Sequence, residues 1–235
     1  MSTVAENIAD TFEIPTTKKA VSKERIINEF AKITQYVTWP LLFLLFHSTL
    51  KVRIRGQEIF PRTKGPFVII TNHVSFYDSF LFRLVLGVFT HHLPLRFMAV
   101  TKFNTRSLNF LAKIGVVDFI YSLFGVFTVT PGLGIEKNIE KAVEIIHIGG
   151  NIVIYPEGKI TYGDQVGPFK KGAAVLQQKT GVHIIPVSFR LGERKWLRRE
   201  FFINVGGEIN IPNGQSVDSI TEILHREVSG LYERV

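Results

Sequence analysis

The chain has 235 residues with 28 Lys and Arg against 20 Asp and Glu, and its net charge of +8 favours anionic partners such as lipid headgroups, nucleic acid or phosphorylated substrates. It contains no cysteine, which excludes disulfides, thiolate metal sites and cysteine nucleophiles. No apolar run reaches the roughly 20 residues of a membrane span, and the N-terminus lacks the basic-then-apolar pattern of a secretory signal. We therefore expect one main domain with appendages, neither spanning a membrane nor secreted.

The N-terminal part of the chain divides into two segments. Residues 1–22 are polar and weakly patterned, which is typical of a flexible lead-in. Residues 23–49 are predicted to be helical, beginning with an amphipathic stretch and ending in an almost wholly apolar run, Trp39 to Phe46, whose Pro40 suits a first helical turn. The apolar residues at helical spacing in the first stretch are Ile26, Ile27, Phe30, Ile33 and Val37.

The apolar run from Trp39 to Phe46 allows two interpretations. A helix buried in the core would explain its composition. The run also begins with a tryptophan, and basic residues precede it, as is typical of a helix at a membrane interface. We therefore interpret residues 23–49 as an amphipathic and apolar helical membrane anchor. The basic residues concerned are Lys18, Lys19, Lys23 and Arg25.

The remaining residues, 50–235, alternate predicted strands with predicted helices. Short apolar or alternating segments predict strands at 50–55, 67–70, 95–100, 126–130, 152–155, 184–189 and 201–205. Helical spacing predicts helices at 80–86, 108–114, 135–146, 169–180 and 220–231, with a connection between 114 and 126. Strands alternating with helices of this length indicate an α/β fold, a mixed sheet flanked by helices, rather than a sandwich.

The stretch T-N-H-V-S-F-Y-D-S, from Thr71 to Ser79, joins a predicted buried strand to a predicted helix. Ligands of α/β proteins commonly bind at such strand ends. There His73 could act as a base, while Asp78 accepts one imidazole N–H, fixes the tautomer and stabilises the imidazolium. A His and an Asp at this spacing arise by chance in roughly one such chain in seven, so the pair alone is weak evidence.

Two later stretches also fall at the ends of predicted strands: Tyr155-Pro156-Glu157-Gly158-Lys159 and Ile185-Pro186-Val187. Together with Asn72-His73 and Asp78, in this order and spacing, they resemble the glycerolipid acyltransferase family typified by bacterial 1-acyl-glycerol-3-phosphate acyltransferases. The resemblance extends from about Val52 to Phe189. Lys102 and Gly125-Val126-Phe127 stand where that family has its second region, and G-P-F-K-K-G-A-A at Gly167 to Ala174 looks like part of its third.

The resemblance implies transfer of a fatty acyl group from an acyl thioester, acyl-CoA or acyl carrier protein, to the free hydroxyl of 1-acyl-glycerol-3-phosphate, giving phosphatidic acid. It implies that residues 50–235 form the acyltransferase domain, with His73 as general base, Asp78 as its partner, and neither cofactor nor metal ion. A covalent Ser75–His73 mechanism is the alternative, although no nucleophile-elbow motif surrounds Ser75. The predicted substrate-binding residues are Asn72, Ser75, Lys102, Glu157, Gly158, Lys159, Lys170, Lys171 and Pro186.

The chain departs from the family pattern at two arginine positions. The family usually reads Thr-Arg after Pro-Glu-Gly, whereas this chain has Lys159-Ile160. The second region reads T-V-T-P-G at Thr128 to Gly132, without its usual arginine. Lysine does not reproduce the bidentate fork with which arginine binds phosphate. The acceptor could therefore be another lysolipid or an aminolipid, and a catalytically weak lipid-binding protein of the same fold is a further alternative.

The expected partners are membrane phospholipids, a lysolipid acceptor and the thioester donor, at a peripheral or monotopic position on the cytoplasmic face of a membrane. A basic loop around Trp196 and Leu197 could rest on anionic lipid or meet the phosphates of the donor. Basic and aromatic residues also occur together in nucleic-acid binders, but no fold signature of those proteins is present, so no nucleic acid is expected. The basic residues of this loop are Arg190, Arg194, Lys195, Arg198 and Arg199.

Overall fold

The computed structural model describes residues 18–75, 77–87, 90–100, 113–130, 132–195 and 198–234, with the main chain alone at 18–20 and 195. Two helices come first, α1 (Lys18–Val37) and α2 (Trp39–Thr49), followed by β1 (Leu50–Arg55) and a 3-10 helix (Gln57–Arg62). The remaining described elements are β2 (Phe67–Thr71), α3 (Asp78–Leu86), β3 (Leu95–Val100), α4 (Val116–Leu123), β4 (Val126–Val129), α5 (Ile135–His147), β5 (Asn151–Ile154), α6 (Gly172–Thr180), β6 (His183–Lys195), β7 (Arg198–Val205) and α7 (Val217–Glu233).

The seven described strands form one mixed sheet in the order β1-β7-β6-β2-β5-β3-β4. Strands β6 and β7 form an antiparallel hairpin, and the other described pairs are parallel. In register, Ile69 of β2 lies between Val153 of β5 and Ile185 of β6. The carboxyl ends of β2, β3 and β5 therefore reach one edge of the sheet, which we call the carboxyl edge. The expected α/β fold, a mixed sheet flanked by helices, is confirmed.

Hydrophobic side chains cover both faces of the sheet, because successive residues of a strand point to opposite faces. In β2, Phe67 and Ile69 pack with α2, α3 and the 3-10 helix, whereas Val68 and Ile70 pack with α5, α6 and α7. All five residues of β2 are buried, which explains the near-continuous apolar sequence of this strand. The strand that leads to His73 is therefore held rigidly from both sides.

Helix α1 packs onto the domain through polar residues and the buried Ala31, and it leaves most of its large apolar residues outside. Its buried Glu24 carboxylate lies 3.1 Å from the guanidinium of Arg96 on β3, which also donates to Asn28 at 2.6 Å. Gln35 donates to the Leu95 carbonyl at 2.8 Å and accepts the Leu95 N–H at 3.1 Å. Most of the predicted apolar stripe faces outward instead, with exposed fractions from 56% to 72% at Ile26, Phe30, Ile33 and Val37, whereas Ile27 is half-buried.

Helix α2 is partly in the core and partly outside it. Trp39 and Phe46 are buried, as a core helix requires, whereas Leu41 and Leu44 are 71% and 69% exposed. Among the described residues, no helix is both long enough and apolar enough to cross a membrane. The anchor at 23–49 stays a prediction. Helix α1 already begins at Lys18, and the rest of the predicted lead-in, 1–17, lies outside the described residues.

Two helix predictions need correction. The predicted connection between 114 and 126 contains helix α4, which is only eight residues long, lies in a strongly apolar stretch and packs against α1. The helix predicted at 108–114 falls almost wholly outside the described residues. Helix α6 begins at Gly172 rather than at Phe169, because the Lys170 N–H bonds to the Pro156 carbonyl at 2.9 Å and holds the preceding residues in the loop.

The predicted basic loop is also wrong in part, since most of it is the end of the β6–β7 hairpin. Arg190 belongs to β6, and Arg194 is paired opposite Arg199 in antiparallel register. The hairpin projects past the carboxyl edge, where charged side chains of a strand can reach solvent. Trp196 and Leu197 lie outside the described residues.

Candidate active site

His73 lies in the loop where the central strand β2 leaves the carboxyl edge. Asn72, the first residue after β2, bonds with both ends of its side-chain amide to the main chain of Phe189 on β6. Its Nδ2 donates to the Phe189 carbonyl and its Oδ1 accepts the Phe189 N–H, each at 2.8 Å. The start of the loop is thereby tied to the neighbouring strand, which determines where His73 is placed.

The Asp78 carboxylate is fully buried at the start of α3 and holds this loop together. Its Oδ2 accepts hydrogen bonds from the N–H groups of Val74 (2.8 Å) and Ser75 (3.0 Å) and lies 2.9 Å from Nδ1 of His73. Its Oδ1 accepts the Ser75 hydroxyl at 2.6 Å. Four donors thus converge on one carboxylate, which compensates for its removal from water.

The bond to Asp78 determines which nitrogen of His73 is available for chemistry. Because the carboxylate accepts, Nδ1 carries the hydrogen in the neutral form of the imidazole, and the lone pair is then on Nε2. Nε2 forms no hydrogen bond to the described residues, and the His73 side chain is 20% exposed. The loop therefore presents the tautomer that a base requires.

Tyr155, directly after β5, covers one face of the imidazole. The Tyr155 and His73 rings stack with centroids 4.2 Å apart at an interplanar angle of 30°. The Tyr155 hydroxyl lies 2.9 Å from the Ser79 hydroxyl, in the first turn of α3. Burial, with a smaller effect of the Asp78 carboxylate, raises the pKa of the Tyr155 phenol well above its usual range, so it stays protonated.

Sequence reasoning missed Tyr155 as a site residue. Tyr155 belongs to a stretch that carries the family resemblance, but no role follows for it from the sequence, since a stacked ring leaves no local pattern. The available signal was its position: it directly precedes Pro156 and Glu157 at the end of β5, which pairs with the strand leading to His73. Ser79 was missed as well, because its contact with the Tyr155 hydroxyl joins residues that are distant in sequence.

The loop after β5 is bonded to the main chain of His73 on both sides. Glu157 Oε1 accepts the His73 N–H at 3.1 Å, and the Thr161 N–H donates to the His73 carbonyl at 2.8 Å. Glu157 is buried, yet neither its Oε2 nor the Thr161 hydroxyl has a hydrogen-bond partner among the described residues. A Cβ at Gly167 would lie only 2.7 Å from Oε2. A buried polar atom without a partner is costly, so Oε2 is a candidate contact for a ligand hydroxyl.

The predicted basic residues border this loop without forming one cluster. Gly158 has a positive φ of 68°, and a Cβ there would overlap the Nζ of Lys170. Lys159 and Lys170 are exposed, whereas Lys171 is ion-paired with Asp218 near the start of α7. Glycine at position 158 therefore permits both the turn and the close approach of Lys170.

Ser75 is placed as a partner of Asp78. Its hydroxyl donates to that carboxylate and accepts the Tyr77 N–H at 3.2 Å, and it has no hydrogen bond to His73. A nucleophilic serine would be bonded to its base. The geometry therefore favours the mechanism without a covalent serine intermediate.

Three further residues, Asn72, Pro186 and Lys102, were predicted to contact the substrate. The amide of Asn72 is occupied by the main chain of β6, as described above. Pro186 is buried within β6, opposite Ile70 in register, one residue before the end of β2. Lys102 lies outside the described residues. Contacts of these three residues with substrate stay predictions.

Two cavities border the site. The larger, about 770 Å³, lies between the carboxyl ends of β3, β4 and β5 and the first turns of α5 and α6, and Tyr155, Lys170 and Lys171 are in its wall. The smaller, about 80 Å³, is lined mainly by apolar side chains and by Ser79. The hydrogen-bonded pair of Tyr155 and Ser79 thus contributes one residue to each cavity.

No group of three His, Asp or Glu suited to a metal ion occurs in the described ranges.

A family model described as Acyltransferase matches residues 51–190, which is more than half of the chain. The chain is 28% identical to the chloroplastic 1-acyl-sn-glycerol-3-phosphate acyltransferase BAT2 of Brassica napus over 146 residues, 59% of this chain and 37% of that protein. It is 27% identical to the 1-acyl-sn-glycerol-3-phosphate acyltransferase of Borreliella burgdorferi over 151 residues, 61% of this chain and 53% of that protein. It therefore spans less than two thirds of the length of these relatives.

The fold is similar to that of a solved structure, the 1-acyl-sn-glycerophosphate (LPA) acyltransferase PlsC from Thermotoga maritima. The TM-score is 0.56 at 21% sequence identity, and the match covers 98% of this chain and 87% of that one. At this identity the likeness concerns the fold alone. The match over residues 51–190, in contrast, includes His73, Asp78 and the Pro-Glu-Gly loop. On that match, the chain belongs to the acyltransferase family.

Proposed function

We propose that this chain transfers a fatty acyl group from an acyl thioester to the free hydroxyl of 1-acyl-glycerol-3-phosphate, giving phosphatidic acid. The observation that carries the proposal is the 2.9 Å bond between His73 Nδ1 and the fully buried Asp78 carboxylate. The choice of acceptor follows the relatives that bear the name 1-acyl-sn-glycerol-3-phosphate acyltransferase.

In the proposed reaction, His73 is the general base. As the acceptor hydroxyl attacks the thioester carbonyl, Nε2 takes the hydroxyl proton and Asp78 stabilises the imidazolium. A C–O bond forms, the C–S bond breaks, and the leaving thiolate receives the proton from His73. A positioned base contributes about 10²–10⁴-fold to such a step. Because the thioester is already activated, the reaction needs no enzyme nucleophile.

The larger cavity is the proposed location of the polar part of the acceptor. Lys170 and Lys171 are in its wall, and the N–H groups of two helix starts border it, which favours an anion. We assign Lys102 and Lys159 to the same electrostatic role. The free Oε2 of Glu157 is suited to accept a hydrogen bond from a glycerol hydroxyl. The apolar cavity beyond Ser79 matches an acyl chain in polarity, and its volume of about 80 Å³ has room for a few carbons of one.

A different acceptor is the alternative, and one specific observation favours it. The sequence has Lys159-Ile160 and T-V-T-P-G where the family usually has phosphate-binding arginines. Lysine is a point charge and does not bind phosphate bidentately. Another lysolipid or an aminolipid would depend less on those arginines.

We also propose that residues 23–49 bind the surface of a membrane on its cytoplasmic face, in a peripheral or monotopic position, with 50–235 as the acyltransferase domain. The outward apolar residues of α1 and α2 support this, since contiguous exposed apolar surface marks an interaction site. The donor would be acyl-CoA or acyl carrier protein, reached from the aqueous side.

Acceptor profiling of the purified full chain tests the function. Labelled acyl-CoA and acyl carrier protein are each offered with 1-acyl-glycerol-3-phosphate, 1-acyl-glycerophosphocholine and a lyso-aminolipid. We expect the highest kcat/KM on 1-acyl-glycerol-3-phosphate, with phosphatidic acid as product. A higher value on another acceptor would establish the alternative. Vesicle binding without acylation of any acceptor would establish the lipid-binding protein.

The membrane proposal is tested with Ile33→Ser combined with Val37→Ser. Both side chains are exposed, at 57% and 72%, so we expect an unchanged melting temperature but weaker co-sedimentation with phospholipid vesicles. Tyr162→Ser is a matched control, because Tyr162 is 83% exposed and lies outside both helices. Equal sedimentation of all three proteins would contradict the anchor.

A further inference from the structure

A basic cavity lies on the active-site side of the sheet, apart from the two cavities described above. It measures about 320 Å³ and lies between the end of α2 and the β6–β7 hairpin. Tyr77, from the loop that carries His73, is part of its wall and packs edge-on against Phe46 with ring centroids 6.1 Å apart. The lining residues are Leu45, Phe46, Thr49, Leu50, Tyr77, Arg194 and Arg199.

The charge in this cavity is unbalanced. Arg194 and Arg199 are directly opposite each other in the hairpin, where like charges repel. Among the described residues, neither guanidinium is ion-paired with a carboxylate, and the lining contains no acidic residue. Glu200, the next residue of β7, pairs with Lys51 and Arg53 instead. An anion that binds both arginines would remove the repulsion.

The hairpin is bonded to the end of α2, so the two walls of the cavity are fixed relative to each other. Arg198 donates from Nη2 to the Leu50 carbonyl at 2.7 Å, and Leu50 is the C-cap of α2. In the parallel β1–β7 pair, Leu50 is also the partner of Arg199. The guanidinium groups therefore lie beside the apolar helix.

The wall that α2 contributes suits an amphiphile better than a water-soluble anion. Leu45 is 49% exposed, and Leu41 and Leu44 on the same helix are 71% and 69% exposed. A phospholipid places its phosphate next to apolar chains, as this cavity places arginine next to leucine. Arginine is also the side chain whose planar fork matches a phosphate.

We infer that this cavity binds the phosphodiester of a membrane phospholipid and thereby seats the end of α2 and the His73 loop at the level of the headgroups. The inference rests on the proposed function only in placing the protein at a membrane. The lipid bound here is neither the acceptor nor the product.

Calorimetric titration of the full chain with dihexanoyl phosphatidylglycerol, which measures the binding affinity, tests the site. This lipid is water-soluble and is neither acceptor nor product. Arg194→Gln combined with Arg199→Gln should weaken its binding at least about tenfold, since two charge-assisted bonds are lost. The matched control is Arg62→Gln with Arg226→Gln, which removes two positive charges from exposed positions elsewhere and should change the affinity less than about twofold.

Three results would overturn the inference. Equal losses in the two double variants would show attraction by net charge alone. Loss of coenzyme A affinity with lipid affinity retained would assign the arginines to the donor. Inorganic phosphate that binds as tightly as the lipid would remove the role of the acyl chains. If the double variant fails to fold, Arg194→Gln alone replaces it, with an expected loss of about threefold.

The result is independent of acyl transfer. A His73→Ala protein should bind dihexanoyl phosphatidylglycerol like the unsubstituted chain, because His73 is not in the cavity wall. An unsubstituted chain that binds this lipid but acylates no acceptor would remove the proposed function and leave the inference standing. If the unsubstituted chain acylates lysolipid but the arginine double variant binds dihexanoyl phosphatidylglycerol as tightly as that chain does, the inference fails and the proposed function stands.

Discussion

The two loops that meet at the carboxyl edge differ in how completely their polar groups are bonded. In the loop of His73, the Asp78 carboxylate is fully buried and receives four donors. In the loop after β5, the buried Oε2 of Glu157 has no partner among the described residues, and Lys170 is exposed. The carboxylate of the first loop is fully bonded without a ligand, whereas the carboxylate of the second keeps one buried oxygen without a partner among the described residues.

Under the proposed function, this difference separates two tasks. Groups that hold and move the proton must keep one geometry throughout the reaction, so the fold fixes them by hydrogen bonds and burial. Groups that recognise an acceptor gain by being unsatisfied until it binds, because the bonds then contribute to affinity. Substitutions in the first loop should therefore reduce kcat, and those in the second should raise KM.

His73→Ala should have the largest effect. Removal of the base should reduce kcat about 10³-fold, within the range for general-base catalysis, and leave the KM of the acceptor nearly unchanged. The measurement is steady-state acyl transfer with purified protein. His147→Ala, at an exposed position of α5, is the matched control and should be inert. A loss of less than about tenfold for His73→Ala would contradict the assignment of the base.

Asp78→Asn should reduce kcat about 10²-fold, because the amide no longer enforces the tautomer with Nδ1–H. It should also lower the free energy of unfolding by about 1–3 kcal/mol, since an amide nitrogen would face donors that now meet an oxygen. Thermal and urea melts measure the second effect. Asp164→Asn, at an exposed position, should change neither quantity. Unchanged kcat with reduced stability would mean that Asp78 only shapes the loop.

Two substitutions of Tyr155 separate the effect of its ring stacking on His73 from the effect of its hydrogen bond to Ser79. Tyr155→Leu removes the ring from the face of His73 and should reduce kcat about tenfold, at the upper end of the value of an aromatic pair. Tyr155→Phe keeps the ring, loses the bond to Ser79, and should cost about twofold. Because burial holds the phenol protonated, the pH profile of Tyr155→Phe should match that of the unsubstituted enzyme. Equal losses in both variants would make the hydroxyl the important group.

Lys170→Ala should have the smallest effect, raising the KM of the acceptor about fivefold with kcat unchanged, as expected for one exposed charge. Lys171→Ala should raise KM less, about twofold, because Lys171 is already paired with Asp218. Lys64→Ala, at an exposed position outside the site, is the control. A fall in kcat for Lys170→Ala would remove the separation between the two loops.

Much of the fold was accessible from the sequence, because burial leaves strong patterns. The apolar sequence of β2 predicted a central strand, and the block order placed His73 and Glu157 at strand ends that the sheet brings together. The sequence patterns did not show which face of the amphipathic helix α1 packs against the domain. Periodicity shows that Ile26 and Phe30 share a face, but not that Glu24 on another face is the buried one.

The site was predictable to a similar extent. His73 and Asp78 are close in sequence, so their contact follows from a short loop. The stack of Tyr155 on His73 joins two strands and depends on their register, which local sequence does not encode. Likewise, Lys171 looks like a phosphate ligand in the sequence, and only the packing of α7 shows its pairing with Asp218.

The polar docking of α1 has a consequence for how a lipid would reach His73. Arg96, the buried partner of Glu24, lies on β3, so the outward apolar stripe of α1 is tied to the strands that form the carboxyl edge. With that stripe on a bilayer, the acceptor would enter by lateral diffusion and keep its chain in lipid. Pulling about fifteen methylene groups into water would instead cost roughly 12 kcal/mol, at about 0.8 kcal/mol each. The helix orientation would thus spare the acceptor this cost before any chemistry begins.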